Sequence, residues 1–422
     1  MNIKKVKDKV VIGLSLLAIT GCSSANKIHY DSLQASKSDD STMDSGYLII
    51  SDDQRAAINK GNTFAVNLFK SQIDFSSKVV SPLSVSYLMG MLANGAEGTT
   101  QKEILKTLGV GDMSLNSLNE AYRVVLNTAS KLDKSTTINI ANCIAVDKGI
   151  DLKKDFTHTV STMYDAKVES LDFSNPKSKD KINAWCNSQT NGMIPSIIDQ
   201  LSPSDVSVLM NAIYFDGSWT SKFEKSQTKE ENFRGYTRDI KRVKMMHQND
   251  KFDYLDSEKF EAVNLPYGNR SYTMTVLLPK DGVSIEEMMS TLDAEKIRDI
   301  RRNMENCIVD LKLPKFTTST ETTLNNSISK LGASSMFSSS AANFKNMSDA
   351  NVYVSKMLQK AKIEVSEEGT KAAAVTTAMV AMTSLKPDEP RRVNFHANRP
   401  FVYVITDNKC GAIFFIGQYL GD

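Results

Sequence analysis

The stretch from Glu367 to Ser384 limits this chain more than any other, because its residues suit two conformations. At alternate positions it carries Thr370, Ala372, Ala374, Thr376, Ala378, Val380 and Met382, with no charge among them. Strand side chains alternate between faces, so this row can be buried in a sheet. Lys371, the only charge after Gly369 in the stretch, falls on the opposite face and stays in water. Gly369 supplies a pivot with unrestricted φ. Leu385 to Arg392 follows, polar and broken by Pro387 and Pro390, and reads as exposed loop. A strand-competent segment joined to an exposed loop predicts insertion on a trigger. The competing reading is a solvated linker of small residues, but a linker has no reason to keep charge off alternate positions.

With 422 residues, 41% hydrophobic and 24% charged, the chain can bury a large core, as one big domain or two or three ordinary ones. The formal charge is +2, and Lys4, Lys5, Lys7 and Lys9 against Asp8 supply all of it. The remainder is close to neutral, which gives no electrostatic case for nucleic acid.

Those lysines precede an apolar run, Val10 to Ile19, too short for a comfortable membrane span. Residues 1–21 have the form of a signal peptide. Ile19-Thr20-Gly21-Cys22 resembles the lipobox of bacterial lipoproteins, which implies that Cys22 becomes the first mature residue and carries lipid. The alternative is an ordinary signal peptide with an accidental cysteine. Ser23 to Gly46, rich in Ser, Asp, Lys and Asn, shows no sustained apolar period and reads as a flexible tether. Residues 22–50 are therefore expected to hold a domain, residues 51–422, at a bacterial membrane, on the periplasmic face of the outer membrane or at the cell surface. No acidic cluster after Cys22 decides between these faces.

Helical spacing recurs in Gln54 to Gln72, Ser84 to Asn94, Leu118 to Leu132 and Asp180 to Asn191. Strand-like runs occupy Thr137 to Val146, Val206 to Phe215, Phe252 to Pro266, Ser271 to Pro279, Cys307 to Pro314, Ala361 to Ser366 and Phe401 to Thr406. Helices dominate the first third and strands the rest, which predicts an α+β domain.

Catalytic motifs are missing. There is no Gly-x-Ser-x-Gly elbow, His-Glu-x-x-His, Walker loop or Gly-x-Gly-x-x-Gly. His29, His158, His247 and His396 are the only histidines. A Ser-His-Asp hydrolase stays open, because triads assemble from distant positions. Cys143, Cys186, Cys307 and Cys410 form no Cys-x-x-Cys pair, so metal and redox roles are disfavoured and no cofactor is expected. The sequence does not pair these cysteines.

Glu367-Glu368-Gly369-Thr370, followed by Ala372-Ala373-Ala374, resembles the reactive-loop hinge of serpins, the suicide protease inhibitors. Other blocks are similar to the same family in its order. They are Ser81 to Ser86 with Met91 to Ala96, Asn211 to Trp219 with Phe223, Leu313 to Phe316, Leu331-Gly332, Asn398 to Phe401 and Phe414 to Gly417. The likeness runs from Gln54 to Asp422. It implies a single α+β domain of about eight or nine helices around three β-sheets, with an exposed reactive-centre loop over about 367–394.

The resemblance also implies that the chemistry belongs to a target protease. The scissile bond is expected at Thr383-Ser384, with Met382 as a second site and Val380, Ala381 and Met382 recognised before it. The target's serine attacks the Thr383 carbonyl and forms an acyl-enzyme, and the cut loop then inserts before water releases the enzyme. Thr370 to Thr383 spans about 46 Å as a strand, comparable with a domain. Short, apolar residues before the cut suit elastase-like serine proteases, and subtilisins or papain-like cysteine proteases are further candidates. The partners implied are a target protease, held covalently, and a membrane through Cys22, with the protein itself a monomer.

The resemblance further groups Ser81, Ser84, Asn211 and Gln359 as a cluster that controls sheet opening, with Trp219 structural at the top. Ordinary helix capping by the serines and a satisfied buried amide at Asn211 are equally open. Gln359 stands where many serpins have histidine, so the cluster lacks a titratable member. About six extra residues separate Gly369 from Phe395, and if some precede the cut, the scissile bond moves towards Leu385. The rival from another class is a non-inhibitory serpin that binds or scaffolds. Such proteins tend to carry bulky or charged residues on the inward hinge face, and here there are none.

Overall fold

A capping box opens the first helix: the Ser51 hydroxyl accepts from the Gln54 amide, and the Gln54 side chain accepts from the Ser51 amide. The computed structural model describes residues 50–129, 131–370 and 390–422. The described helices are α1 (Asp52–Lys70), α2 (Pro82–Gly95), α3 (Gly98–Thr107), α4 (Leu115–Ala129), α5 (Lys154–Tyr164), α6 (Pro176–Gln189), α7 (Ile285–Ser290), α8 (Ala294–Arg302) and α9 (Asn325–Leu331). None of them is long and apolar enough to cross a membrane. Helix α2 starts with Pro82 in its first turn and is buried on nearly every side, as a helix packed within a core must be.

One six-stranded sheet contains, in spatial order, β10 (Phe316–Thr323), β11 (Lys356–Ser366), β12 (Gly369–Thr370), β4 (Ser207–Ser218), β2 (Thr136–Asp147) and β3 (Ala166–Leu171). The other sheet runs β1 (Lys78–Val80), β15 (Ile413–Tyr419), β14 (Phe401–Asp407), β8 (Tyr272–Pro279), β7 (Phe260–Tyr267), β6 (Ile240–Asp256), β9 (Glu305–Pro314) and β13 (Arg392–His396), with β5 (Lys229–Arg234) paired to β6. The sequence leads us to expect three sheets. The group β5, β6, β9 and β13 is the third, joined to the second only where Tyr254 to Asp256 of β6 pair with Glu261 to Val263 of β7.

The run Phe252 to Pro266 is not one strand. Polar residues from Asp256 to Lys259 break it into the β6–β7 hairpin, where the Ser257 amide donates to the Phe260 carbonyl at 2.9 Å.

Alternation along β4 divides the interior. Ile213 and Phe215 point into a sheet-on-sheet core with Met274, Val276, Tyr403 and Phe415, while Met210 and Ala212 face Ile182 and Cys186 of α6. A third cluster packs α1, α2 and α4 against Leu209, Met357, Val402 and Ile416. Helix α6 thus covers one face of the six-stranded sheet and the second sheet covers the other.

Candidate functional site

Strands β4 and β11 run parallel and pair residue for residue from Val208 with Lys356 to Tyr214 with Lys362. Beyond that point they part. The chain leaving β11 turns at Glu367-Glu368, and Gly369-Thr370 lies between the two strands, antiparallel to both. Gly369 pairs with Ser218 and Ser366, and Thr370 with Gly217 and Val365.

The turn requires its glycine. Gly369 has φ +149°, and a Cβ there would collide with the Gly217 carbonyl oxygen. Thr370 is fully buried, and its hydroxyl shares a 2.7 Å hydrogen bond with that of Tyr267. Tyr267 stacks on Trp219 with ring centroids 4.4 Å apart. The Trp219 indole donates to the Ser366 carbonyl at 2.9 Å, its amide donates to the Glu368 carbonyl, and the Phe223 amide donates to the Glu367 carbonyl. Trp219 therefore packs and also holds the backbone of the turn.

Both glutamates are fastened. Glu367, buried, accepts from Lys315 at 2.7 Å and from the Thr228 hydroxyl at 2.8 Å. Glu368 lies between Lys222 and Lys225 at 3.0 and 3.1 Å. Burial resists ionisation of Glu367, but the Lys315 and Thr228 hydrogen bonds outweigh it and hold the carboxyl below its ordinary value. Hydrogen bonds from Lys222 and then Lys225 lower Glu368 in the same way. A carboxylate depressed in the folded state adds stability above its unfolded value, about 4.3 for glutamate, and loses it as pH falls through the folded value. The turn should stay fastened from neutral pH to about 5 and loosen on further acidification. Hydrogen exchange at the Gly369 and Thr370 amides reads this directly; rates that follow intrinsic chemistry alone down to about pH 3 would refute the fastening.

Below the turn, the expected cluster is brought together in two parts. The Gln359 amide donates to the Ser81 carbonyl at 2.7 Å and accepts from the Ser81 amide at 3.1 Å, and the Ser81 and Ser84 hydroxyls are 2.9 Å apart. All three residues are buried. Ser81 is the N-cap residue of α2, yet its hydroxyl does not cap the helix. Asn211 is paired in register with Gln359 but turns its side chain to Asn142, donating at 2.9 Å; Asn142 donates in turn to the Tyr164 carbonyl. The Asn211 Oδ1 atom is buried without a hydrogen-bond partner among the described residues.

Sequence reasoning missed Lys222, Lys225, Thr228, Lys315, Tyr267 and Asn142. Only Lys222 and Lys225, beside the noted Phe223, and Lys315, inside the noted block Leu313 to Phe316, carried a local hint. Ala372, Ala373, Ala374, the recognition residues Val380, Ala381 and Met382, and the bond Thr383-Ser384 lie outside the described residues, as does Cys22. His247 and His396 both bond Asp310, at 2.5 and 3.1 Å, and among the described residues neither ring is hydrogen-bonded to a serine or cysteine. Cys143, Cys186, Cys307 and Cys410 are buried free thiols.

The family model for Serpin (serine protease inhibitor) matches residues 59–421. The chain belongs to the serpin family. Curated serpin relatives include leukocyte elastase inhibitor A of Rattus norvegicus, 32% identical over 84% of this chain and 96% of that protein. Leukocyte elastase inhibitor of Homo sapiens is 31% identical over 86% and 98%. Among solved serpin structures, the thermophilic serpin tengpin in its native state aligns with a TM-score of 0.79 at 31% identity, covering 88% of this chain and 95% of that one. Human thyroxine-binding globulin complexed with its hormone aligns equally well, TM-score 0.79, at 26% identity over 87% and 98%. The α+β serpin fold expected from the sequence is the fold found. Because this fold is shared by elastase inhibitors and a thyroxine-binding globulin, what this serpin does has to be argued from its hinge.

Proposed function

We propose that this serpin is a suicide inhibitor of elastase-like serine proteases, with subtilisin-like or papain-like enzymes as further targets, and that it acts from a lipid anchor on Cys22 after removal of residues 1–21. The observation that carries the reading is the seat of Thr370. Its side chain points into the core between β4 and β11, which sets the parity of everything that follows it. By strand alternation Ala372, Ala374, Thr376, Ala378, Val380 and Met382 share that inward face, and none of them brings a charge or an aromatic ring.

Continuing the Thr370 register gives insertion a residue-level form. Lys371 arrives between Asp216 and Glu364, outward and opposite in charge to both. Thr376 arrives between Asn211 and Gln359, where its hydroxyl can donate to the orphaned Asn211 oxygen. The parallel β4–β11 ladder must open for this, and Ser81, Ser84 and Gln359 sit where it opens. Both new neighbours of the inserted strand are antiparallel to it, and backbone groups exposed by the opening regain partners on two sides.

The covalent step is the target's own. Its serine oxygen bonds to the Thr383 carbonyl carbon, the Thr383-Ser384 bond breaks, and the amine of Ser384 leaves with the proton taken by the target's base. Loop insertion then carries the acyl-enzyme away from its working geometry before water attacks. Incubation with pancreatic or neutrophil elastase is expected to give a complex that survives boiling in detergent, with a new amino terminus at Ser384. Cleavage without complex would instead identify a non-inhibitory serpin, and cleavage at Leu385 would move the register.

A further inference from the structure

We propose that the face beside the entry of the chain into α1 is an electrostatic docking surface for an anionic lipid bilayer. The inference rests on the reading of Cys22 as a lipid anchor. It is carried by four cations that the fold collects on three different loops and a helix end. Lys131 follows α4, Arg270 is in the β7–β8 turn, Lys409 is in the β14–β15 turn, and Arg302 ends α8. Lys131, Arg270 and Arg302 are exposed, Lys409 is partly so, and none of the four is ion-paired among the described residues.

A chain of asparagine hydrogen bonds ties these loops to one another. Arg301 donates to the Asn408 side chain, and Asn408 donates to the Arg270 carbonyl and the Thr273 hydroxyl, each at 2.7 Å. Asn269 donates to the Leu132 carbonyl at 2.7 Å. Helix α1 joins the same assembly through Asn62, which donates to the Gly411 carbonyl at 2.8 Å and accepts from the Ile413 amide. Ile50, where the described chain begins, is buried in the core cluster that holds Ala129 and Leu132. The carboxylates nearby do not cancel the cations. Asp133 and Asp407 are buried, which leaves Asp52 and Asp53 exposed at the start of α1, Glu305 exposed three residues after Arg302 and Asp299 half-buried in α8, so the exposed carboxylates are fewer than the cations they face.

The occupant follows from where the chain enters. Cys22 lies 28 residues before Ile50, and a flexible segment of that length has a reach of roughly 30 Å, which confines the domain to the layer next to the bilayer. A tethered surface sees the headgroups at an effective concentration on the order of millimolar, so a modest attraction suffices to orient it. Each basic residue near an anionic bilayer strengthens binding about fivefold, and the attraction falls off within a Debye length of about 8 Å. Four such residues on one face, in a protein of near-zero net charge, select that face.

The test uses residues 22–422 with Cys22→Ser, so that neither an attached lipid nor the basic and apolar residues 1–21 contribute, and vesicles of phosphatidylcholine with or without about 30% phosphatidylglycerol. The variant Lys131→Gln, Arg270→Gln, Arg302→Gln and Lys409→Gln should lose at least about tenfold in affinity for the anionic vesicles and nothing for the neutral ones. A control with the same charge change elsewhere, Lys177→Gln, Lys229→Gln, Lys251→Gln and Lys330→Gln, should lose less than about threefold, and both variants should keep the parent's melting temperature. Equal loss in the two variants, no loss in the first, or binding of soluble polyphosphate through these residues without binding of vesicles overturns the proposal. The mass of the amino-terminal peptide of the natural protein reports lipid on Cys22 independently. An unmodified Cys22 with intact vesicle binding would remove the anchor and leave the surface; the converse would remove the surface alone.

Discussion

Replacing Thr370 by Arg is expected to abolish the proposed inhibition of elastase and leave the protein an elastase substrate. The number of inhibitor molecules consumed per enzyme trapped should rise at least about tenfold, while the rate of cleavage at Thr383-Ser384 changes by less than about threefold. The reason is positional. Thr370 has no exposed surface, and its hydroxyl is occupied by Tyr267, so a guanidinium there has neither room nor counter-ion. An unpaired buried charge costs several kcal/mol, so in the uncut variant position 370 leaves its seat and insertion must bury it anew, whereas ~1.4 kcal/mol in the barrier to insertion already shifts the partition tenfold. Residues at the cut are untouched, so acylation continues and water wins the race. Ala372→Glu should behave alike, since the Thr370 register brings position 372 opposite Phe215 and Ile363 of the sheet-on-sheet core. Lys371→Ala, one residue away on the outward face, should change the stoichiometry by less than about twofold. Unaltered stoichiometry in Thr370→Arg, or an equal effect from Lys371→Ala, would defeat the assigned parity.

That parity was readable without coordinates because an alternation of period two survives in any strand, and the row from Thr370 to Met382 obeys it without exception. The long buried strand β4 was readable for a similar reason: Val206 to Phe215 is a nearly unbroken apolar run, and both of its faces are covered. The β6–β7 hairpin was not, because its two apolar strands abut a turn of only a few polar residues and merge into one run. The fastening of Glu367 and Glu368 was legible only in part. Two adjacent glutamates signal a need for cations, but Lys315 and Thr228 reach them from β9–β10 and from the start of β5, at sequence distances that no local pattern spans. The same holds for Tyr267, an ordinary strand tyrosine until the fold lays it under Trp219 and Thr370. Asn142 looked like one polar residue in an apolar strand, and only the β2–β4 register makes it the partner of Asn211.

Cutting the loop once, with no protease retained, is expected to raise the melting temperature by about 10 °C or more, a shift that for a domain of this size corresponds to roughly 8 kcal/mol. Before the cut, Gly369 and Thr370 are the only described residues between β4 and β11, and the proposed insertion adds the rest of the uncharged row beside them. Covalent continuity from Thr370 to β13 prevents it, since β13 is held beside β9 from Arg392 to His396 in the other sheet. Once the bond is broken, that constraint vanishes. Six more inward side chains can then be buried, and a ladder forms on two sides while only the seven β4–β11 pairs are exchanged. On the proposed mechanism the uncut protein is a kinetically held state whose lifetime depends on the barrier to opening the sheet and not on the equilibrium. On the same mechanism, Gln359, bonded to Ser81, and Ser84, bonded to the Ser81 hydroxyl, sit where the ladder opens, while Asn211 keeps its bond to Asn142 and offers Thr376 its free oxygen. The measurement is a pair of melting curves, intact and nicked, on material whose nick has been located by mass. Coincident curves would show that the severed arm stays outside the sheet, and the inhibitory mechanism would fall with them.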